Sequence, residues 1–194
     1  MRRGPVDRWG AVAQWLHWTI VLLIVVMAYL GLTMVELPNT PKKVEVYALH
    51  KSFGLTVLAL VVLRLAWRLL AGTPLPEPMP AWQALAARLS HVLLYAVLVA
   101  MPLTGWLYTS ASGFPLRWFG QFALPKLSGR DRDVAGFAVE AHETLFLVLA
   151  ALVTVHALAA LKHHYLDRDR TLRRMLPAMP PPPPRAAAGP LAED

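Results

Sequence analysis

Seven histidines are the residues of this sequence best suited to chemistry. In the stretch 139-VEAHETLFLVLAALVTVHALAALKHHYL-166, His142 and His156 lie fourteen residues apart, and His163 comes seven further on. Apolar residues fill nearly everything between. His17, His50 and His91 fall in other apolar runs, and His164 directly follows His163. An ionisable side chain in hydrocarbon is costly and marks function when it occurs there. The runs hold five imidazoles (His17, His50, His91, His142 and His156) and no carboxylate deep within them. A proton relay or ion path usually wants carboxylates, so the set favours a metal centre ligated by neutral imidazole, with haem the group expected. From His142 to His156 is about 21 Å of helix. It is also about 1400°, within about 40° of whole turns, so both residues face the same way. That offset suits two stacked macrocycles in one bundle, one near each membrane face. A mononuclear zinc site wants ligands at i and i+4 or on converging loops, and no pair within the membrane has that spacing.

The elements that must position these residues are membrane helices. Hydrophobic residues make up 56% of the 194-residue chain, above the roughly 45–50% of an ordinary soluble domain. A bilayer core needs about 20 apolar residues in a helix. Four segments qualify, at about residues 14–35, 49–70, 89–109 and 140–163. The first is too long in its apolar run for a cleaved signal peptide and no small-residue cleavage site follows. Arg64 and Arg68 lie near the end of the second, where long side chains snorkel. Pro102 is expected to kink the third. The fold class is therefore an all-α membrane protein, a four-transmembrane-helix bundle. Residues 1–176 form one transmembrane domain, and 177–194, PAMPPPPPRAAAGPLAED, read as a disordered tail. The connector 73-TPLPEPMP-80 reads as extended. The loop at about 110–138 is expected to hold a short interfacial helix with Phe114, Trp118 and Phe119 at the membrane surface.

With no cysteine in the chain, disulfides, thiolate-ligated metals and iron–sulfur clusters are excluded. The net charge of +7 would suggest nucleic acid in a soluble protein. Here the basic residues flank the apolar runs, so topology explains them better and no nucleic-acid partner is expected. The N-terminus MRRGPVDR, the second loop (Arg64, Arg68, Arg88) and the tail KHHYLDRDRTLRRM share one side. By the positive-inside rule that side is cytoplasmic, giving N-in/C-in. The other two loops are less lopsided. One sets Lys42, Lys43 and Lys51 against Glu36 and Glu45; the other sets Arg117, Lys126, Arg130 and Arg132 against Asp131 and Asp133.

Depth then sorts the histidines. His50 and His142 fall near the outer face, and His17 and His156 near the inner face. His91 lies at about the depth of His17, so three candidates compete for two inner positions and depth alone does not decide. The other reading of His91 is a contact to a haem propionate, paired with Tyr95.

Taken together, 14-QWLHW-18, 49-LHKSFG-54, 63-LRLAWRL-69, 91-HVLLY-95, 102-PLTGW-106, 142-HE-143, 156-HALAALKHHYLDRD-169 and 171-TLRRM-175 resemble the bacterial cytochrome b561 family. The resemblance runs from about Asp7 to Met175. That family comprises di-haem four-helix membrane proteins, and the subgroup this chain looks most like includes a superoxide oxidase. The resemblance implies a multi-pass protein of the bacterial inner membrane holding two b-type haems. Superoxide would be oxidised at the outer face and ubiquinone reduced near the inner face. His17, His156, His50 and His142 fall on the family's haem ligands, as an inner pair His17–His156 and an outer pair His50–His142. His163 falls on a histidine associated with the quinone head group. The residues agree: His163 is about 700° past His156, within about 20° of the same face, and about 10 Å further toward the cytoplasm. His164 points about 100° off that stripe and receives no redox role.

Superoxide is an anion, so a basic vestibule over the outer haem would raise its encounter rate. Lys51, next to His50, is the residue expected to act there. Lys42, Lys43, Lys126, Arg130 and Arg132 lie in the same outer loops. Bis-histidine ligation leaves no open iron position and suits an electron carrier. The alternative function is an electron-transfer cytochrome b subunit working between the quinone pool and a partner redox protein. A transporter or structural bundle without a cofactor fits poorly, because its histidines would be costly and unpaired. Beyond superoxide and ubiquinone, the expected partner is membrane lipid.

Overall fold

The computed structural model describes residues 8–177. The expected disordered tail therefore lies, from residue 178 onward, outside the described residues. Four long helices dominate: α1 (Ala11–Glu36), α2 (Pro41–Ala71), α3 (Ala81–Ala111) and α4 (Arg132–Tyr165). All four are long and apolar enough to cross a membrane. The chain is an all-α, multi-pass four-helix bundle, as the apolar runs require.

Each helix is longer than the apolar run that announced it. α2 and α3 each have 31 residues, about 46 Å at 1.5 Å per residue, against a hydrocarbon core of about 30 Å. The surplus projects into the interfaces, where charge is tolerated and backbone hydrogen bonds still favour helix. The starts follow local chemistry. Pro41 opens α2 behind Thr40, a position where the missing N–H costs nothing. Asp131 caps α4 by accepting from the backbone N–H groups of Asp133 and Val134. That cap starts α4 eight residues before the apolar run at about 140. α3 runs unbroken through Pro102, so the expected kink does not interrupt the helix.

α1 packs on α2 and α3 packs on α4, with thinner contact between α2 and α3. The dry core is small. Ile20, Val57 and Val61 form its centre, and Leu23, Met27, Tyr95 and Leu98 pack against it. Most large apolar side chains face outward, which is the arrangement lipid requires rather than a packing fault.

Residues 73–80 are extended, as the prolines dictate. The α3–α4 loop differs from expectation. In place of an interfacial helix it forms a small antiparallel hairpin, β1 (Arg117–Trp118) with β2 (Phe122–Ala123). The turn explains why. Phe119 and Gly120 both have positive φ, 45° and 72°, and the Gln121 N–H donates to the Trp118 carbonyl. This is the twist that matches two strands, not a helical turn. A left-handed phenylalanine is unfavourable by itself and is held by its surroundings. Its N–H donates to the Ser52 hydroxyl at 2.9 Å, and its ring meets Phe53 edge-on at 5.3 Å. The Trp118 indole donates to the Thr56 hydroxyl at 3.0 Å. The hairpin is thus fastened to α2.

At the other end a strap, residues 173–176, ties the start of α1 and the proline-rich connector to the chain beyond α4. The Trp9 N–H and the Gln14 amide both donate to the Arg174 carbonyl. The Trp18 indole donates to the Met175 carbonyl at 2.8 Å. Arg174 reaches into the proline-rich connector, donating to the Leu75 carbonyl and pairing with Glu77 at 2.7 Å. Both side chains of that pair are nearly covered, at 13% and 14% exposure. Breaking a covered pair strands a charge, so the strap is a structural clasp.

Four spans put the 37–40 loop and the hairpin loop on one side, and the 72–80 connector with both ends of the described segment on the other. The chain has no cysteine, so single-cysteine variants report this directly. Asn39→Cys and Ser128→Cys are expected to react with a membrane-impermeant maleimide from the same side, and Thr73→Cys only from the opposite one. Labelling of all three from one side contradicts the four-span arrangement.

Candidate functional site

The four histidines expected to hold haem meet in two facing pairs. His17 on α1 faces His156 on α4, with ring centres 6.4 Å apart and ring planes 72° apart. His50 on α2 faces His142 on α4 at 6.2 Å and 73°. Two metal–imidazole bonds of about 2 Å, plus about 1.1 Å from each nitrogen to its ring centre, separate two imidazoles on one ion by about 6.2 Å. Both gaps match that span. His91 does not fit it: its ring lies 5.3 Å from His156, too close for ligands on opposite sides of one ion. Its Nδ1 instead meets the Ala87 carbonyl one turn back, at 2.7 Å. The suggested pairing of His91 with Tyr95 is not made. The Tyr95 hydroxyl accepts from Arg64 Nε at 3.1 Å, while another Arg64 N–H reaches the Ala13 carbonyl at 2.6 Å. A guanidinium is the stronger donor and takes the phenol.

The surroundings of the pairs suit a flat group between the rings. Neither α1 nor α2 packs along α4, although each pair spans one of those gaps. At the loop end, two glycines make room for the imidazoles. A methyl group on Gly31 would stand 3.2 Å from His50 Cε1, and one on Gly105 would stand 3.2 Å from His142 Cε1. His142 Nδ1 lies 2.9 Å from the Met101 carbonyl, which also accepts from the Thr104 hydroxyl at 2.7 Å. A carbonyl only accepts, so Nδ1 carries the hydrogen and Nε2 is left with its lone pair free. Metal-binding histidines are held in this way by their second nitrogen. His50 Nδ1 is buried without a hydrogen-bond partner among the described residues.

Beyond the His17–His156 pair, the last turn of α4 carries His163, and the chain then doubles back onto it. Arg168 takes a left-handed φ of 54°, which turns Asp169 inward. The Asp169 N–H donates to the His163 carbonyl at 3.1 Å. Its carboxylate meets His163 Nδ1 at 2.5 Å and accepts the Thr171 N–H at 2.8 Å. Asp167 lies 3.2 Å from the same Nδ1 and 2.6 Å from Lys162 Nζ. Burial opposes charge on Asp169, but the Thr171 N–H and His163 outweigh it and hold the carboxyl below the usual carboxylate range. Its ionised form therefore adds stability above the usual carboxylate range, lost as pH falls through the lowered value. Sequence reading missed both aspartates. Their signal was two acids four and six residues past His163, just after a helix end, and only the reversal at Arg168 makes it count.

The basic vestibule is thinner than the loop sequence suggests. Lys43 caps the end of α1, donating to the Val35 and Leu37 carbonyls. Lys42 pairs with Glu45 at 3.4 Å on an exposed surface. Lys51 is half-buried next to His50, and among the described residues it has no hydrogen-bond or ion-pair partner.

Four apolar helices carrying two facing imidazole pairs, one at each level of α4, fit the class of membrane-embedded cytochrome b bundles. The family described as prokaryotic cytochrome b561 matches residues 8–178. The chain belongs to that family, whose members bind b-type haem and transfer electrons. It is 36% identical to cytochrome b561 homolog 2 of Escherichia coli over 88% of its length and 92% of the relative. It is 33% identical to cytochrome b561 homolog 1 of the same organism, covering 89% of this chain and 98% of that one. A protein of Yersinia pestis named probable superoxide oxidase CybB is 30% identical over 84% of this chain and 92% of its own.

The glycine contacts make a specific expectation. Gly31→Val and Gly105→Val should each lower the haem-to-protein ratio of the purified protein, measured as the pyridine haemochrome. Gly136→Ala, where an added methyl meets nothing within 4 Å, should leave it unchanged. Normal haem content and spectrum in both valine variants would contradict the cradle.

Proposed function

We propose that this chain is a superoxide:ubiquinone oxidoreductase of the bacterial inner membrane, with both termini in the cytoplasm and two bis-histidine b-type haems. One observation carries the reading: two facing imidazole pairs share α4 at positions fourteen residues apart, about 21 Å along the helix. His17 and His156 would hold the inner haem, His50 and His142 the outer one. Bound there, haem supplies one-electron redox chemistry with no open iron position. The protein contributes spacing and burial, and Met101 fixes the nitrogen that His142 offers.

Superoxide is the proposed electron donor at the loop face. Lys51 supports it: a positive charge next to His50 in the chain, without an ion-pair partner among the described residues, draws a small anion toward that pair. The name of the Yersinia relative points the same way. Residues 37–40 and the hairpin loop 112–131 give little docking surface for a large redox protein, which favours this reading over an electron-transfer subunit. Ubiquinone is the proposed acceptor at the cytoplasmic face, where His163 would hydrogen-bond a carbonyl oxygen of the head group. The basic residues clustered around the termini and the connector support a cytoplasmic placement of that face.

Single substitutions should separate the haems. His50→Ala or His142→Ala is expected to leave one haem per chain with the inner spectrum, and His17→Ala or His156→Ala one with the outer spectrum. His91→Ala should retain both. Loss of a haem on His91→Ala would reassign the inner ligands.

The activity is tested by mixing purified protein with a superoxide generator and a water-soluble ubiquinone analogue. Quinone reduction should proceed, and added salt should slow it. Lys51→Gln should lower the low-salt rate several-fold and flatten the salt dependence. A wild-type protein that is reduced slowly by superoxide, with no effect of salt, ends the superoxide reading and leaves the electron-transfer one.

A further inference from the structure

His163 is held by a device that its proposed contact with a quinone does not by itself require. The chain leaves α4, reverses at Arg168, and returns two carboxylates to one imidazole nitrogen. Asp169 Oδ2 lies 2.5 Å from His163 Nδ1, and Asp167 Oδ2 lies 3.2 Å from it. The three ligand atoms lie within 4.8 Å of one another. The His163 side chain is 13% exposed and that of Asp169 18%, so the contact is sheltered from water. Asp169 is itself fixed on both sides, by the His163 carbonyl at its N–H and by the Thr171 N–H at its Oδ1. Asp167 is shared with Lys162. His164, next in sequence, turns to Tyr165 instead.

A carboxylate only accepts a hydrogen bond. Nδ1 therefore keeps its hydrogen, and the exchangeable proton of His163 is the one on Nε2. A carboxylate that fixes the tautomer and orientation of an imidazole, and balances the charge of its protonated form, is a known way to make a histidine an effective acid.

We infer that Asp169 is a positioning residue that sets His163 Nε2 as the proton donor to the reduced quinone, with Asp167 completing the acidic cradle. The inference rests on the quinone reading above. Its balance is simple. Two superoxide ions each lose one electron and leave as oxygen, and the quinone gains both electrons. Superoxide supplies no proton, so the two protons that complete the quinol come from water on the cytoplasmic side. At one quinone oxygen, the His163 Nε2–H bond breaks and an O–H bond forms. The neutral imidazole then regains a proton on Nε2 from that water.

The test uses full-length purified protein, reduced with dithionite without oxygen and mixed with a ubiquinone analogue. Reoxidation is followed across pH, in H2O and in D2O. Asp169→Asn, which places an amide donor within reach of Nδ1, should slow reoxidation by roughly tenfold or more. It should also flatten the pH profile and change the solvent isotope effect. Haem content and the rate of reduction by superoxide should match the wild type. Asp169→Glu, which keeps the carboxylate, should recover part of the rate. Asp169→Asn with the wild-type rate, pH profile and isotope effect overturns the inference, as does loss of haem in both variants, which would make the contact merely structural. If His163→Ala also reoxidises at the wild-type rate, the quinone assignment of His163 fails and this inference falls with it. If His163→Ala is slow and Asp169→Asn is not, only the role of Asp169 is lost.

Discussion

Two imidazole rings facing each other across about 6 Å, deep in a hydrocarbon slab, are the constraint around which this fold is arranged. Each ring carries two polar nitrogens that lipid cannot satisfy. The protein deals with the outward nitrogen where it can, most clearly by turning His142 Nδ1 onto the Met101 carbonyl. The rings of each pair are left facing one another, at a separation that one ligated ion spans. Close packing between α4 and its opposite helices would close those gaps, and it is absent. The bundle instead gains its cohesion in the α1–α2 and α3–α4 pairs and in the small core around Val61.

The two ends of the bundle are finished differently, which gives the molecule a direction. At the loop end, a hairpin is hooked to Ser52 and Thr56 on α2 and tolerates a left-handed phenylalanine to do so. That end presents Lys51 beside the His50–His142 pair. At the terminal end, the strap at 173–176 joins α1, the proline-rich connector and the chain beyond α4 through Gln14, Trp18 and the Arg174–Glu77 pair. That end presents His163 in its acidic cradle. A lysine at one face and a histidine held by two carboxylates at the other suit the proposed path, from an anionic donor to an acceptor needing protons.

The asymmetry also bears on the two functional readings. An electron-transfer subunit needs a surface that a partner can cover. At the loop end the chain offers a four-residue connection and a hairpin already committed to its own helix. A protein that reacts with a small diffusing anion needs no more than access and charge.

The sequence by itself determined the class and the two levels at which α4 carries its histidines. Four apolar runs of bilayer length forced four helices, because no other backbone arrangement of such segments satisfies its hydrogen bonds in lipid. The fourteen-residue spacing of His142 and His156 set two levels on one helix face, because helical rise and twist are nearly constant. What stayed open was whatever depended on lateral distance. Depth could not choose among His17, His91 and His156, whereas three-dimensional packing brings His91 within 5.3 Å of His156 and leaves His17 at 6.4 Å. The starts of α2 and α4 were set by Pro41 at the first helical position and by the Asp131 cap rather than by hydropathy. The hairpin was decided by two positive φ angles and by Ser52, sixty-seven residues away in the chain. The meeting of Asp169 with His163 was decided by one left-handed residue, Arg168. Hydrophobic periodicity reports which environment a residue enters; which neighbour it finds there depends on turns and packing that periodicity does not encode.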